Sequence, residues 1–115
     1  MTLQEIFDKA ARHLLTQMEK SLIGDSCAYR AMDGLKCVVG AFIPDDKYNT
    51  QLEGRSSDTE VICSILGIDV ASEESRLFKA LQLTHDIYEP IEWKKELNLI
   101  ANDWSLSSKV LGEFK

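Results

Sequence analysis

Cys27 and Cys37 stand ten positions apart, and a His85-Asp86 pair lies far downstream. These are the residue types of thiol chemistry. A Cys–His–acid set needs a thiolate, an imidazole within hydrogen-bond reach and a carboxylate that orients the ring. Cys37 and His85 are the candidate nucleophile and base. Adjacent helical residues point about 100° apart, so Asp86 is badly placed to orient His85. Asp45 or Asp46 would serve better. No local signature of a known thiol protease surrounds either cysteine. The same side chains are candidate zinc ligands: Cys27, Cys37 and His85, with His13 or Cys63 as a fourth. Structural zinc sites usually contain a short Cys-x₂₋₄-Cys knuckle, and this chain has none. The third reading is that Cys27, Cys37 and Cys63 are small apolar core residues, because free Cys is among the most buried types. The apolar patterning favours that reading, so neither a catalytic role nor a metal or other cofactor is expected.

The elements that must position these residues are legible in the periodicity. Residues 3–22 carry Leu3, Ile6, Phe7, Ala10, Ala11, Leu14, Leu15, Met18 and Leu22 on one helical stripe. His13 lies beside that stripe and is expected to be exposed. Thr2 and Glu5 match a capping box, and Gly24 suits the stop. Asp33-Gly34 is a hairpin signal. With a three-residue loop, Met32-Asp33-Gly34, Ala31 faces Leu35. Cys27, Tyr29, Ala31, Leu35, Cys37 and Val39 then share one apolar face, with Arg30 and Lys36 on the other. A rival reading makes Cys37–Phe42 a short helix after the turn. Pro44 ends that element, and residues 45–56 read as a long polar loop, a kind that is often functional or mobile.

Three helices follow. Ser57-Asp58-Thr59-Glu60 is a second capping-box match, with Ser57 as the cap, before a short one that stops at Gly67. Ser72 caps the second, whose stripe is Leu77, Phe78, Leu81, Thr84 and Tyr88. Pro90 opens the third, over about residues 90–103, and the tail adds a helical turn. The predicted fold is α+β: one small, mostly helical domain over residues 1–115, with four to five helices and one β-hairpin near residues 27–40.

With 13 Lys and Arg against 19 Asp and Glu, the net charge is −6. No basic cluster exceeds Lys94-Lys95, which argues against nucleic acid as a partner. No apolar run reaches about 18 residues, so no membrane span is expected. The N-terminus lacks the pattern of a signal peptide. These features point to a cytoplasmic protein with reduced thiols.

The block Cys27-x-Tyr29-Arg30-x-x-Asp33-Gly34-x-x-Cys37-x-x-Gly40-x-x-Ile43-Pro44-Asp45-x-x-Tyr48 resembles that of short uncharacterised proteins of tailed bacteriophages and prophage-bearing bacteria. The later Leu81-Gln82-x-x-His85-Asp86 and Glu92-Trp93 pieces are similar as well. The resemblance covers nearly the whole chain. It implies a phage or prophage origin and a bacterial cytoplasm, and it carries no catalytic residues. The expected function is that of a small accessory protein that binds a host or phage protein, with self-association as a homodimer a further expectation. The expected surface is Arg30, Lys36, Asp45, Asp46, Tyr48 and Arg55, where a pairing of Arg30 with Asp45 or Asp46 is the structural alternative. The rival functions are a thiol-dependent enzyme using Cys37 and His85, and an oligomer that sequesters a small molecule or nucleotide.

Overall fold

Helix α1 spans Leu3–Gln17 in the computed structural model, which describes residues 1–115. Its start follows from the first five residues. The Thr2 hydroxyl accepts the Glu5 N–H (3.1 Å) and the Glu5 carboxylate accepts the Thr2 N–H (2.8 Å), satisfying two otherwise orphaned donors. Ile6, Phe7, Ala10, Ala11, Leu14 and Leu15 form its buried face. The helix ends at Gln17, short of the predicted Leu22. Met18 takes the left-handed C-cap conformation. Gln17 turns its amide away to bracket Lys36, donating to the Lys36 carbonyl (2.9 Å) and accepting its N–H (3.0 Å). His13 is half-buried, not exposed, because its Nε2 bonds the same carbonyl at 2.7 Å.

Gly24 is therefore not a helix stop but part of a tight turn, at φ 64°. It joins β1 (Leu22–Ile23) to β2 (Ser26–Cys27), which pair antiparallel with Leu22 opposite Cys27. The hairpin thus lies just before the predicted 27–40 span. At Asp33-Gly34 the predicted register holds: the Ala31 N–H reaches the Leu35 carbonyl (2.9 Å) and Arg30 bridges Lys36. The ladder stops there. Cys37 becomes the N-cap of α2 (Val38–Phe42), its sulfur accepting the Gly40 N–H at 3.4 Å. The short helix after the turn is what forms.

Gly40 shows why the two segments meet. A Cβ there would sit 1.9 Å from the Tyr29 carbonyl oxygen. Only a residue without a side chain lets α2 lie directly on the Tyr29 backbone.

The remaining helices are α3 (Glu60–Leu66), α4 (Glu73–Ile87) and α5 (Pro90–Asp103). Gly67 closes α3 in the left-handed conformation, and the Ser72 hydroxyl caps α4 by accepting the Ser75 N–H. Thr59, not Ser57, is the N-cap of α3, and Ser57 is buried. Helices α1, α4 and α5 pack against one another, and α2 covers α1 and α4. Trp93, Phe7, Phe78, Leu14, Leu81 and Leu97 fill the centre, all inaccessible to solvent. Phe42 meets Phe78 edge to face at 4.8 Å. A 3₁₀ turn at Lys109–Glu113 lays Val110 and Leu111 back on this core. The fold is a small, mostly helical α+β domain with one antiparallel hairpin. No helix is long and apolar enough to cross a membrane.

Gly40→Ala should destabilise the protein by roughly 2–3 kcal/mol, because backbone, not a flexible side chain, must move aside. Urea denaturation measures this. A loss under about 0.5 kcal/mol, the range of an ordinary surface substitution, would mean that the Tyr29–Gly40 contact yields easily.

Candidate functional site

One turn of α4 carries Gln82, His85 and Asp86 at spacings of three and four, so the three lie on one helix face. That face turns toward the hairpin. His85 is completely buried, and its ring stacks on Trp93 of α5 with centroids 5.6 Å apart. Its Nε2 lies 2.9 Å from the Ser21 backbone nitrogen. A backbone N–H can only donate, so Nε2 must accept. The neutral ring then holds its proton on Nδ1, which donates to Asp86 Oδ1 at 2.8 Å. Gln82 knits the rest together. Its Nε2 donates to Asp86 Oδ1 (2.8 Å) and to Cys27 Sγ (3.2 Å), and its Oε1 accepts the Val39 N–H at the start of α2 (3.0 Å). Buried Ser21 completes the set by donating its hydroxyl to the Ala28 carbonyl at 2.7 Å.

The structure therefore brings Cys27, not Cys37, to His85, with Sγ 3.8 Å from Nδ1. It also pairs the ring with Asp86, whereas the spacing argument favoured Asp45 or Asp46. Asp86 lies at the end of α4, where its short side chain folds back under the hold of Gln82. Cys37 is fully buried as the cap of α2, and Cys63 is buried, donating to the Ser57 carbonyl. Two of the three cysteines are core residues, and Cys27 is partly exposed.

This geometry is unsuited to nucleophilic catalysis. A base must take the thiol proton on one ring nitrogen while the acid holds the other. Here thiol and carboxylate crowd the same nitrogen, which already carries a proton, and the opposite nitrogen is closed by backbone. The neighbouring Cys37 thiol, then burial, push the Cys27 pKa well above the ordinary range against the pull of His85. The thiol stays protonated. Burial works against charge on His85, but the carboxylate and Cys27 outweigh it and raise its pKa. Charging the ring would still set an Nε2–H against the Ser21 N–H. Burial likewise works against a charged Asp86, but hydrogen bonds from His85, Cys27 and Gln82 outweigh it and lower its pKa.

The same tautomer decides the metal question. Cys27, His85 and Asp86 present ligand atoms within 4.8 Å of one another. A cation at Nδ1 needs the lone pair there, so the ring proton would have to move to Nε2, toward the Ser21 donor. Cys37, part of the predicted ligand set, has its sulfur turned to the Gly40 N–H. The residues fit a metal poorly.

Cys27, Gln82 and Asp86 line a cleft of about 260 Å³, together with Tyr29, Leu83 and the 53–57 segment. That is below the range of about 300–1,000 Å³ usual for ligand pockets. Lys79, which also borders it, pairs with Asp58 at 2.9 Å.

The predicted binding residues divide into two groups. Arg30 pairs with Asp45 (2.8 Å), donates to the Ile43 carbonyl (2.8 Å) and lies 4.6 Å over the Tyr48 ring. Tyr48 donates to Glu53 at 2.6 Å, which raises its pKa to about 12. Glu53 also accepts the Tyr29 and Arg30 N–H groups (2.8 and 3.1 Å), and the Tyr29 hydroxyl donates to the Arg55 carbonyl. Arg30, Asp45 and Tyr48 are thus engaged in holding the 44–56 segment to the Tyr29–Arg30 segment. That segment is anchored, with 3₁₀ turns at Asp45–Lys47 and Thr50–Leu52 and Leu52 buried. Asp46 and Arg55 are exposed and Lys36 is half-buried.

Three residues of these networks escaped the sequence reasoning. Gln82 had a usable signal, since Gln, His and Asp at 82, 85 and 86 repeat at helical spacing beside an apolar stripe. Ser21 and Glu53 had none, because the groups that place them, His85 for Ser21 and the Tyr29 and Arg30 N–H groups for Glu53, are distant in sequence.

Two outcomes follow from the buried network. In the folded protein at pH 8, iodoacetamide should modify Cys27 at least about tenfold more slowly than a free thiol, since the thiolate is the reactive form. Cys37 and Cys63 should react only on unfolding. Mass-resolved alkylation kinetics test this, and fast labelling of Cys27 would restore a reactive-thiol reading. The lowered pKa of Asp86 means that its contribution to stability is present above its unfolded pKa and lost as pH falls through the folded one. Asp86→Asn should therefore flatten the acid limb of the stability–pH curve below about pH 4. An unchanged slope would place that linkage elsewhere.

No family model, no curated protein and no solved structure matches the chain.

Proposed function

We propose that this chain is a small accessory protein that works by binding another protein and performs no chemistry of its own. One observation carries the reading: large apolar side chains stand exposed where α1 ends and α5 begins, with no role in the core. Ile91 is 88% exposed, and Met18, 43% exposed, lines the same depression. An isolated exposed apolar residue is ordinary, but a group around a depression is typical of an interface. The internal engagement of Arg30 and Tyr48 moves the proposed surface away from the 44–56 segment. The self-satisfied state of Cys27, His85 and Asp86 supports binding over thiol chemistry. The resemblance of the central block supports a phage or prophage origin, with a host or phage protein as the partner.

Ile91→Asp separates binding from folding. Its side chain touches little, so stability should change by no more than about 0.5 kcal/mol. Affinity purification from bacterial cells should recover a stoichiometric protein with the wild type and lose it with Ile91→Asp. Recovery undiminished by the substitution would move the interface elsewhere. A wild-type protein that recovers nothing would sink the reading.

A further inference from the structure

We infer that the exposed side of α5 is a docking trough for an acidic peptide segment with a large apolar anchor, an inference that rests on the protein-binding reading above. Ile91, Lys94, Lys95 and Asn98 follow one another at spacings of three, one and three, so they form one stripe of α5, beside the buried face of Trp93, Leu97 and Ala101. Two depressions flank this stripe and share Ile91 and Lys94. One, of about 440 Å³, reaches Leu111 and Gly112 of the tail. The other, of about 300 Å³, reaches Leu15, Met18 and Phe114. Joined across Ile91, they make one trough in which Ile91, Met18, Leu111 and Phe114 supply apolar surface and Lys94 and Lys95 a basic edge.

The charge identifies the occupant. The chain as a whole carries −6, yet no carboxylate side chain lines either depression. Two of the neighbouring acids are engaged elsewhere: Glu92 accepts the Glu89 N–H of its own helix cap, and Glu113 pairs with Arg12 at 2.8 Å. Lys94 is held at the edge by its bond to the Phe114 carbonyl. An ammonium group has three donors, so Lys94 keeps two for a partner. A second copy of this chain fits less well. A two-fold contact sets the same patch against itself, and this patch has lysines but no carboxylate side chain to meet them. An acidic segment meets the lysines with opposite charge and seats its apolar residue beside Ile91.

Gly112 provides a steric probe. It is exposed, it lies in the wall of the trough, and a Cβ built there has nothing within 4 Å. Gly112→Trp should fill the trough without entering the core. The experiment is a selection of short random displayed peptides on the wild-type protein, with removal of clones that also bind Gly112→Trp. Survivors should be net acidic with one large apolar residue. Their affinity, read by fluorescence anisotropy, should fall about tenfold with Ile91→Ser and with Lys95→Glu, and should weaken as salt rises. Neutral or basic peptides that Gly112→Trp blocks would overturn the acidic class while leaving a protein-binding trough. Clones indifferent to Gly112→Trp, or no enrichment at all, would overturn the trough and count against the broader reading. Vesicles of anionic phospholipid are the control: sedimentation with them, lost in Ile91→Ser, without acidic peptides among the survivors, would make the surface a membrane contact and overturn the inference.

Discussion

A fully buried imidazole with both nitrogens committed holds the middle of this protein in place. His85 must accept from the Ser21 backbone at Nε2 and donate to Asp86 at Nδ1. Neither bond can be replaced by water, because the ring is inaccessible to solvent and lies against Trp93. The cost of an unpaired buried polar group, about 1–3 kcal/mol, therefore acts in full on any displacement. Through Ser21 the ring sets where the chain leaves α1 and enters the hairpin. Through Gln82 the same helix face fixes Cys27 and the first turn of α2. The hairpin has only two residues in each strand, and an isolated hairpin is marginal in water. Its position depends on these side-chain bonds more than on its own ladder.

A second clamp works by the same logic at the opposite end of the Tyr29–Arg30 segment. Glu53 accepts from two successive backbone N–H groups and from the Tyr48 hydroxyl. Arg30 closes the arrangement on Asp45 and the Ile43 carbonyl. Gly40 then lets α2 rest on the Tyr29 carbonyl from the inner side. The block from Cys27 to Tyr48 is therefore largely irregular backbone made rigid by side chains.

The inside and the outside of the domain differ in how their side chains are engaged. Inside, the Cys27 thiol has a raised pKa, the His85 ring a fixed tautomer, and the Asp86 carboxylate accepts from that ring. Outside, α5 presents Ile91 and two lysines that the fold does not use as core. Binding energy at interfaces comes from few well-placed anchors.

Local rules were enough for the helices. Thr2 with Glu5, Ser72, Pro90 and Gly67 mark ends by hydrogen bonding or backbone restriction within a few residues, and those ends are legible in the sequence. The Ala31–Leu35 register at Asp33-Gly34 is likewise a local matter of turn chemistry. What lay beyond sequence reading depends on groups far apart along the chain. Gln17 ends α1 early by taking Lys36 as its partner, and Cys37 turns from a strand into a helix cap because Gly40 can approach Tyr29. Cys27 rather than Cys37 meets His85 because the hairpin closes at Gly24, before the turn that the dipeptide pattern advertised. The sequence alone thus determined which helices exist and which residue types could react. Only the tertiary structure decided which of them touch and in what tautomer, because backbone N–H groups choose their partners by position in space and leave no mark in residue type.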